Sequence, residues 1–324
     1  IKFSLITGHY KDKKTVSKIE MWCKASSVAK ILKKLKIGRI GGRFKDMGDF
    51  SITDYKIKKF LGPEIIDIPL KRISQVSLKV NEEEVRSIME EDKKRYTVEI
   101  DEKLHFITTR LEIALRRITK EENLGGFGIN FMGFKGKKGA EVIPFAAISK
   151  FLSEGYGYAG EGDVLCAISV FILQKLCGEG NFVEMFTTDY RNNRIFMSHM
   201  GESNLKMADG KIRLVKKEMN LIKEGLSTSI FLFRLKPGKV TLFNIAPSSR
   251  SFKFIACEGE IIDVPLFNDV ISPHFLLKIN GQIEDFLTQY SKFGGTHHLA
   301  MVYGDRKEEI KYLSEIMGIE YFEI

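Results

Sequence analysis

Cysteine is scarce: four in 324 residues, at Cys23, Cys166, Cys177 and Cys257, with no CxxC pair among them. That excludes a disulfide scaffold, and a reducing cytoplasm is the natural compartment. Cys166 and Cys177 sit among apolar neighbours and are expected to be inert core thiols rather than ligands or nucleophiles. No run of about 18 apolar residues exists, which leaves no transmembrane helix and no membrane partner to expect. The stretch Ile1–Gly8 lacks the long apolar core of a signal peptide. The glycine-rich segment Gly38–Gly48 matches neither the P-loop nor the GxGxxG pattern, so it does not read as a nucleotide site. Internal repeats and low-complexity segments are also missing.

What is present is ordinary globular composition, with 44% hydrophobic and 29% charged residues. A disordered chain would be poorer in apolar residues. The length suggests two or three domains. Lys plus Arg exceeds Asp plus Glu by 51 to 42, a net charge of +9. The basic clusters at Lys11–Lys14, Lys33–Lys36 and Lys135–Lys138 are short and are not interleaved with aromatics. They read as solvated surface, and no nucleic-acid partner is expected.

The pattern along the chain is α/β first and β-rich later. Lys2–Thr7 reads as a buried strand. Val16, Ile19, Met21-Trp22 and Val28-Ile31-Leu32 then mark a helix. A strand and a helix at the very start cannot bury both faces, so residues 1–36 are expected to be the tail of a larger N-terminal, Rossmann-like domain. Gly38–Gly48 is a loop or strand-loop at the first boundary. Leu104, Ile107, Leu111, Leu115 and Ile118 step at three and four and predict an amphipathic helix. Phe127–Phe131 reads as a strand, and Pro144 opens a short helix through Leu152. Residues 37–178 thus form a central α/β domain. Beyond Gly178, short strands at Phe182–Thr188, Ile195–His199, Ile230–Leu235, Val240–Ile245 and Phe252–Cys257 predict an antiparallel, barrel-like domain over 179–324. The turn signal Pro237-Gly238 lies between two of them. A helix over Arg306–Met317, capped by Asp305, and a strand at Tyr321–Ile324 close the chain.

Six histidines are few enough to weigh singly. His9 follows a strand, His105 begins a helix in a surface or capping role, and His274 is a turn residue. His199 ends an apolar strand, and His297-His298 lies between a glycine loop and Leu299-Ala300-Met301-Val302. Imidazoles at strand ends beside glycine loops are where metal ligands often sit, although each alone reads as structural.

The carboxylates narrow the choice. Tyr156-Gly157-Tyr158-Ala159-Gly160-Glu161-Gly162-Asp163 is a loop carrying two acids before the apolar helix Val164–Leu176. Asp163 fits the N-cap, which leaves Glu161 at the mouth of a buried helix. Glu184 lies inside an otherwise apolar strand. A hairpin turning at Arg191-Asn192 puts Glu184 directly opposite His199, and a turn one pair later leaves the two diagonal on one face. A buried carboxylate requires a partner or a metal. Two Glu and two His without thiolates disfavour structural zinc and suit Mn²⁺, Co²⁺ or Mg²⁺.

At these positions the sequence resembles the L-arabinose isomerase and L-fucose isomerase superfamily, and L-arabinose isomerase most. The matching stretches are Ile6-Thr-Gly-His-Tyr-Lys-Asp, Thr109-Arg-Leu-Glu-Ile, Glu154-Gly-Tyr-Gly-Tyr-Ala-Gly-Glu-Gly-Asp163, Phe182-Val-Glu184, Met197-Ser-His-Met200 and Gly294-Gly-Thr-His-His298, in family order. The resemblance implies a metal-dependent aldose–ketose isomerase acting on a free sugar, of the L-arabinose to L-ribulose type. The metal, usually Mn²⁺, would be held by Glu161, Glu184, His199 and His298, with the two glutamates moving the proton. Phe134 and Met47 would line the sugar pocket. The resemblance further implies a cytoplasmic homo-oligomer, trimer or hexamer, and one more α/β domain ahead of Ile6. Gly201-Glu202-Ser203-Asn204 departs from the family pattern and bears on the substrate more than on the metal. The alternatives are a relative of the fold that binds sugar without turning it over, or has another specificity, and a basic nucleic-acid binder.

Overall fold

The computed structural model describes residues 3–45, 47–48, 51–134 and 136–324. The chain opens with α1 (Lys13–Leu32), β1 (Lys36–Ile40), α2 (Asp54–Phe60), β2 (Glu64–Ile68), α3 (Leu70–Ser77), α4 (Glu82–Arg95), β3 (Thr97–Val98) and α5 (Glu102–Glu121). It continues through β4 (Gly126–Ile129), α6 (Phe145–Ser153), β5 (Gly157–Gly160) and α7 (Val164–Cys177). Then come β6 (Asn181–Asp189), β7 (Arg194–Ser198), β8 (Ala208–Glu218), β9 (Ser227–Leu235), β10 (Gly238–Pro247), β11 (Phe252–Ile261) and β12 (His274–Ile279). The last elements are α8 (Ile283–Phe293), β13 (His298–Tyr303), α9 (Lys307–Met317) and β14 (Glu320–Glu323).

Three sheets result. The strands β2-β1-β4-β5 form a parallel sheet, in that order. The strands β10-β13-β6-β7-β12-β11 run antiparallel and close on themselves through β10–β11, giving a six-stranded barrel, with β14 parallel to β11. A smaller sheet joins β3, β8 and β9. The fold is therefore mixed α/β with a closed C-terminal barrel, which agrees with the class read from the sequence. Alternation along the barrel strands separates two cores. Val183, Leu299 and Met301 point into the barrel core, whereas Phe182, Ala300 and Val302 join the core around the parallel sheet.

The helix α7 lies between these layers. All but two of its residues are buried, because both of its sides are covered. Its close approach to β5 depends on Gly157: a Cβ there would come within 2.2 Å of the Ala167 carbonyl oxygen. Asp163 caps the helix through its Oδ1, which accepts from the amides of Leu165 at 3.0 Å and Cys166 at 2.9 Å.

Several expectations need correction. Phe3–Thr7 forms no strand, and Phe3 and Leu5 are 75% and 85% exposed. Lys2 lies outside the described residues. The helix that follows does bury a face, packing on α9 and α7. His105 is buried, with Nε2 3.2 Å from Asp92, rather than on the surface. His274 lies in β12 and is buried by ring contacts with Phe196 and Phe267. The strands flanking Pro237-Gly238 do not pair with each other: β9 joins β8 and β10 joins the barrel.

Candidate metal centre

The four residues singled out in the sequence come from four separate elements and meet on the outer wall of the barrel, facing the carboxyl end of the parallel sheet. Glu161 lies in the turn between β5 and α7, in the left-handed conformation with φ +58°. Only a few per cent of non-glycine residues have positive φ, and a glutamate there is strained by about 1–2 kcal/mol. Glu184 lies on β6 and His298 on β13, where the ladder pairs them directly. His199 follows the last residue of β7.

The hairpin differs from expectation in one respect. Asp189 pairs with Arg194 and Thr187 with Phe196, as a turn near Arg191-Asn192 requires. A bulge between Met185 and Thr187 then shifts the register, so Glu184 opposes Ser198 instead of His199. His199 still reaches Glu184 from one residue further along. Ligand atoms of Glu184, His199 and His298 lie within 4.8 Å of one another. A second triplet, Glu161, His297 and His298, meets the same limit. His298 belongs to both. His297, half-buried, stands on the Glu161 side, with Nε2 3.6 Å from Oε2.

The imidazoles are held from behind. His298 Nδ1 is 3.1 Å from Asp163 Oδ2, and His199 Nδ1 is 2.8 Å from Glu202 Oε1. An ionised carboxylate can only accept, so each Nδ1 carries a proton, and in the neutral ring Nε2 presents a lone pair. Glu202 Oε1 also accepts from the Tyr158 hydroxyl at 2.7 Å. Phe182 packs edge-on against both rings, 4.7 Å from His199 and 4.9 Å from His298. Gly160 leaves room for the His199 ring, which a Cβ there would meet at 2.5 Å.

Burial and charge oppose each other here. Burial would raise the Glu161 carboxyl, but the adjacent imidazoles of His297, His298 and His199 outweigh it and hold it low. Burial raises Glu202 as well, and the His199 charge, its hydrogen bond and Tyr158 bring it below the usual range. His199 would be lowered by burial, yet the Glu202 carboxylate raises it on balance. For His298 burial prevails over Asp163 and lowers the pKa, which favours a neutral imidazole, the form that binds metals.

The residues fit a divalent cation. Glu161 Oε2 is buried and makes no hydrogen bond, while standing 3.6 and 3.9 Å from the Nε2 atoms of His297 and His298. Those gaps are too long for hydrogen bonds, but they suit atoms that each lie about 2.0–2.2 Å from one shared ion. Oxygen and imidazole donors without thiolate match Mn²⁺, Co²⁺ or Mg²⁺ chemistry.

The two pocket residues expected from the resemblance lie in the segments that follow β4 and β1. Phe134 is fully buried in the core around the parallel sheet, just after a short 3₁₀ turn at Phe131–Gly133. Met47 is half-buried in the loop between β1 and α2. Phe131, not singled out in the sequence, packs 6.2 Å from His199. Glu202 was also missed as an orienting group, although a carboxylate three residues after a histidine is a signal that could have marked it. A cavity of about 500 Å³ opens beside Phe131, lined by Arg43, Phe44, Asn130 and Met132 among others.

Comparison with known proteins gives the family. The L-arabinose isomerase central domain matches residues 39–179, and the L-arabinose isomerase C-terminal domain matches residues 179–320. The L-arabinose isomerase of Shouchella clausii is 24% identical over 325 residues, covering 98% of this chain and 66% of the relative. Those of Aeromonas salmonicida, at 22%, and Cellvibrio japonicus, at 24%, cover 98% of this chain and 66% and 65% of their own lengths. The chain thus spans just under two thirds of the curated relatives it matches.

Proposed function

The chain belongs to the L-arabinose isomerase family, and from that membership we propose that it is a metal-dependent aldose–ketose isomerase acting on a free sugar, of the L-arabinose to L-ribulose type. The observation that carries the reading is the pair of carboxylates, Glu161 and Glu184, each with a ligand atom within 4.8 Å of one buried histidine, His298. Glu161, Glu184, His199 and His298 would hold the ion, Mn²⁺ first and Co²⁺ or Mg²⁺ as alternatives. When bound, the metal supplies a Lewis acid for the two sugar oxygens that exchange roles.

The chain's own groups do the rest. One glutamate takes the proton from the carbon beside the carbonyl, and the proton returns to the neighbouring carbon through an enediol. Asp163 and Glu202 keep the Nε2 lone pairs of His298 and His199 aimed at the centre. Phe182 and the barrel wall exclude water from the histidine side. Phe134 and Met47 remain proposed sugar-pocket residues. We also propose divisions at 1–36, 37–178 and 179–324, a homo-oligomer of trimer or hexamer type, and a cytoplasmic location. No helix among the described residues is long and apolar enough to cross a membrane.

The test is a panel of pentoses and hexoses assayed with and without Mn²⁺, followed by turnover in D₂O. Metal-dependent ketose formation with solvent deuterium in the product supports the reading. Sugar binding without turnover by the full-length protein would favour a non-catalytic relative instead.

A further inference from the structure

Arg39 lies on β1, in the interior of the parallel sheet, and is only 5% exposed. Its guanidinium makes two forks. Nη1 and Nη2 donate to Asp54 Oδ1 and Oδ2 at 2.8 and 2.9 Å, and Nε and Nη2 donate to Asp67 Oδ1 and Oδ2 at 2.7 and 2.9 Å. Asp54 Oδ1 is shared with Arg43, whose Nη2 donates at 2.7 Å while its Nη1 donates to the Ile52 carbonyl at 2.6 Å. The Arg43 carbonyl accepts from Asn130 Nδ2 at 3.1 Å. Asp54 therefore pins both ends of the loop between β1 and α2 to a buried arginine.

That loop abuts the metal turn. A Cβ on Gly162 would fall 2.6 Å from the Gly42 carbonyl oxygen and 3.7 Å from the Arg43 Cα, so the two backbones are in contact. Arg39 and Arg43 line a small cleft whose far wall is Gly162, Asp163 and Val164. The neighbour of Gly162 is Glu161, in its left-handed conformation. A strained residue keeps such a conformation only where its surroundings over-determine it.

We propose that Asp54, braced by Arg39 and Arg43, is a positioning residue: it presses the Gly42–Arg43 backbone onto the Glu161–Gly162 turn and so holds the Glu161 carboxylate at the metal centre. The inference rests on the metal-centre reading above, but it has a readout that does not. Asp67 supplies the internal control. It forks the same arginine, and among the described residues it makes no bond to Arg43 or to the loop ahead of α2.

The experiment compares Asp54→Ala with Asp67→Ala in the full-length protein. Each leaves Arg39 one carboxylate. Hydrogen exchange of the segment 157–166 is followed by mass spectrometry in metal-free protein, and Mn²⁺ affinity by titration calorimetry. Asp54→Ala should speed exchange of that segment and weaken Mn²⁺ binding about tenfold, within the range of such indirect coupling. Turnover should fall further than binding, since small misplacements of a reacting group are costly. Asp67→Ala should leave the exchange of the segment and the affinity near wild type. If the two variants behave alike in exchange, the proposal is overturned. If exchange separates them while the wild type takes up no Mn²⁺, the brace stands and the metal reading fails.

Discussion

His298 faces Glu184 directly across the β13–β6 ladder, with His199 5.5 Å from His298 ring to ring. Two of the four candidate ligands are thereby fixed by backbone hydrogen bonds between barrel strands, which are among the most rigid parts of the fold. Only Glu161 comes from a turn, and that turn is braced from outside.

The glutamates are the first test. Glu161→Gln and Glu184→Gln keep size and remove basicity. Each should lower kcat by about a hundredfold or more, roughly what a positioned general base supplies. Steady-state kinetics in H₂O and D₂O with the accepted sugar measure it. Full retention of the substrate hydrogen with both variants active would sink the carboxylate mechanism.

The groups behind the histidines come second. Asp163→Asn and Glu202→Gln should each weaken divalent-metal binding roughly 10–100-fold, as outer partners of metal-binding histidines usually do. Asp163→Asn keeps an acceptor for the α7 amides, so its unfolding midpoint should change less than its metal affinity. Calorimetric Mn²⁺ titration alongside thermal unfolding separates the two effects.

The strain at Glu161 makes an inverted prediction. At most sites Ala is more stabilising than Gly, because Gly loses more freedom on folding. At φ +58° the order should reverse. Metal-free Glu161→Gly should be about 1 kcal/mol more stable than Glu161→Ala, measured by urea unfolding. An Ala variant as stable as the Gly variant would show that the turn is relaxed.

A buried ion cluster away from the centre sets the pH dependence of stability. Lys150 Nζ lies 2.7 Å from Asp92 Oδ1 and 2.7 Å from Glu112 Oε2, all three buried. Burial would raise Asp92, but His105 and Lys150 hold it below its ordinary 3.8. Its contribution is therefore present above pH 3.8 and lost as the pH falls through the lower folded value. Burial would lower Lys150, but Glu112 and Asp92 raise it above 10.5. Its share is fully present below pH 10.5 and lost as the pH rises through the higher folded value. Lys150→Met should cost about 3–5 kcal/mol, because it leaves two carboxylates buried together. Urea midpoints between pH 3 and 11 test both limbs. In the variant, part of the lost stability should return in acid, where the stranded carboxylates protonate.

Much of this was legible from local pattern. The three-four spacing of α5, the apolar run of α7 and the Asp163 cap depend on bonds within a few residues, and all three form. Glu161, Glu184, His199 and the His297-His298 pair were also picked out by residue type and setting, and the family resemblance singled out His298. The local logic failed where a competing contact took over. Phe3–Thr7 has strand composition, but no strand among the described residues pairs with it. His105 sits on the predicted helix but points at Asp92 on α4, a partner that no helical period reveals.

The helices, the strand-rich C-terminal half and the identity of the acids and imidazoles follow from local sequence, because capping and periodicity are short-range. The register that matters was decided only by tertiary structure. The bulge between Met185 and Thr187 moved Glu184 from His199 to Ser198, and the pairing of β6 with β13 placed it against His298, far away in the chain. Side-chain alternation has a period of two, so one extra residue changes which partner faces the site. The carboxylates behind the histidines and the Asp54 brace likewise exist only once strands and loops from distant segments are packed together.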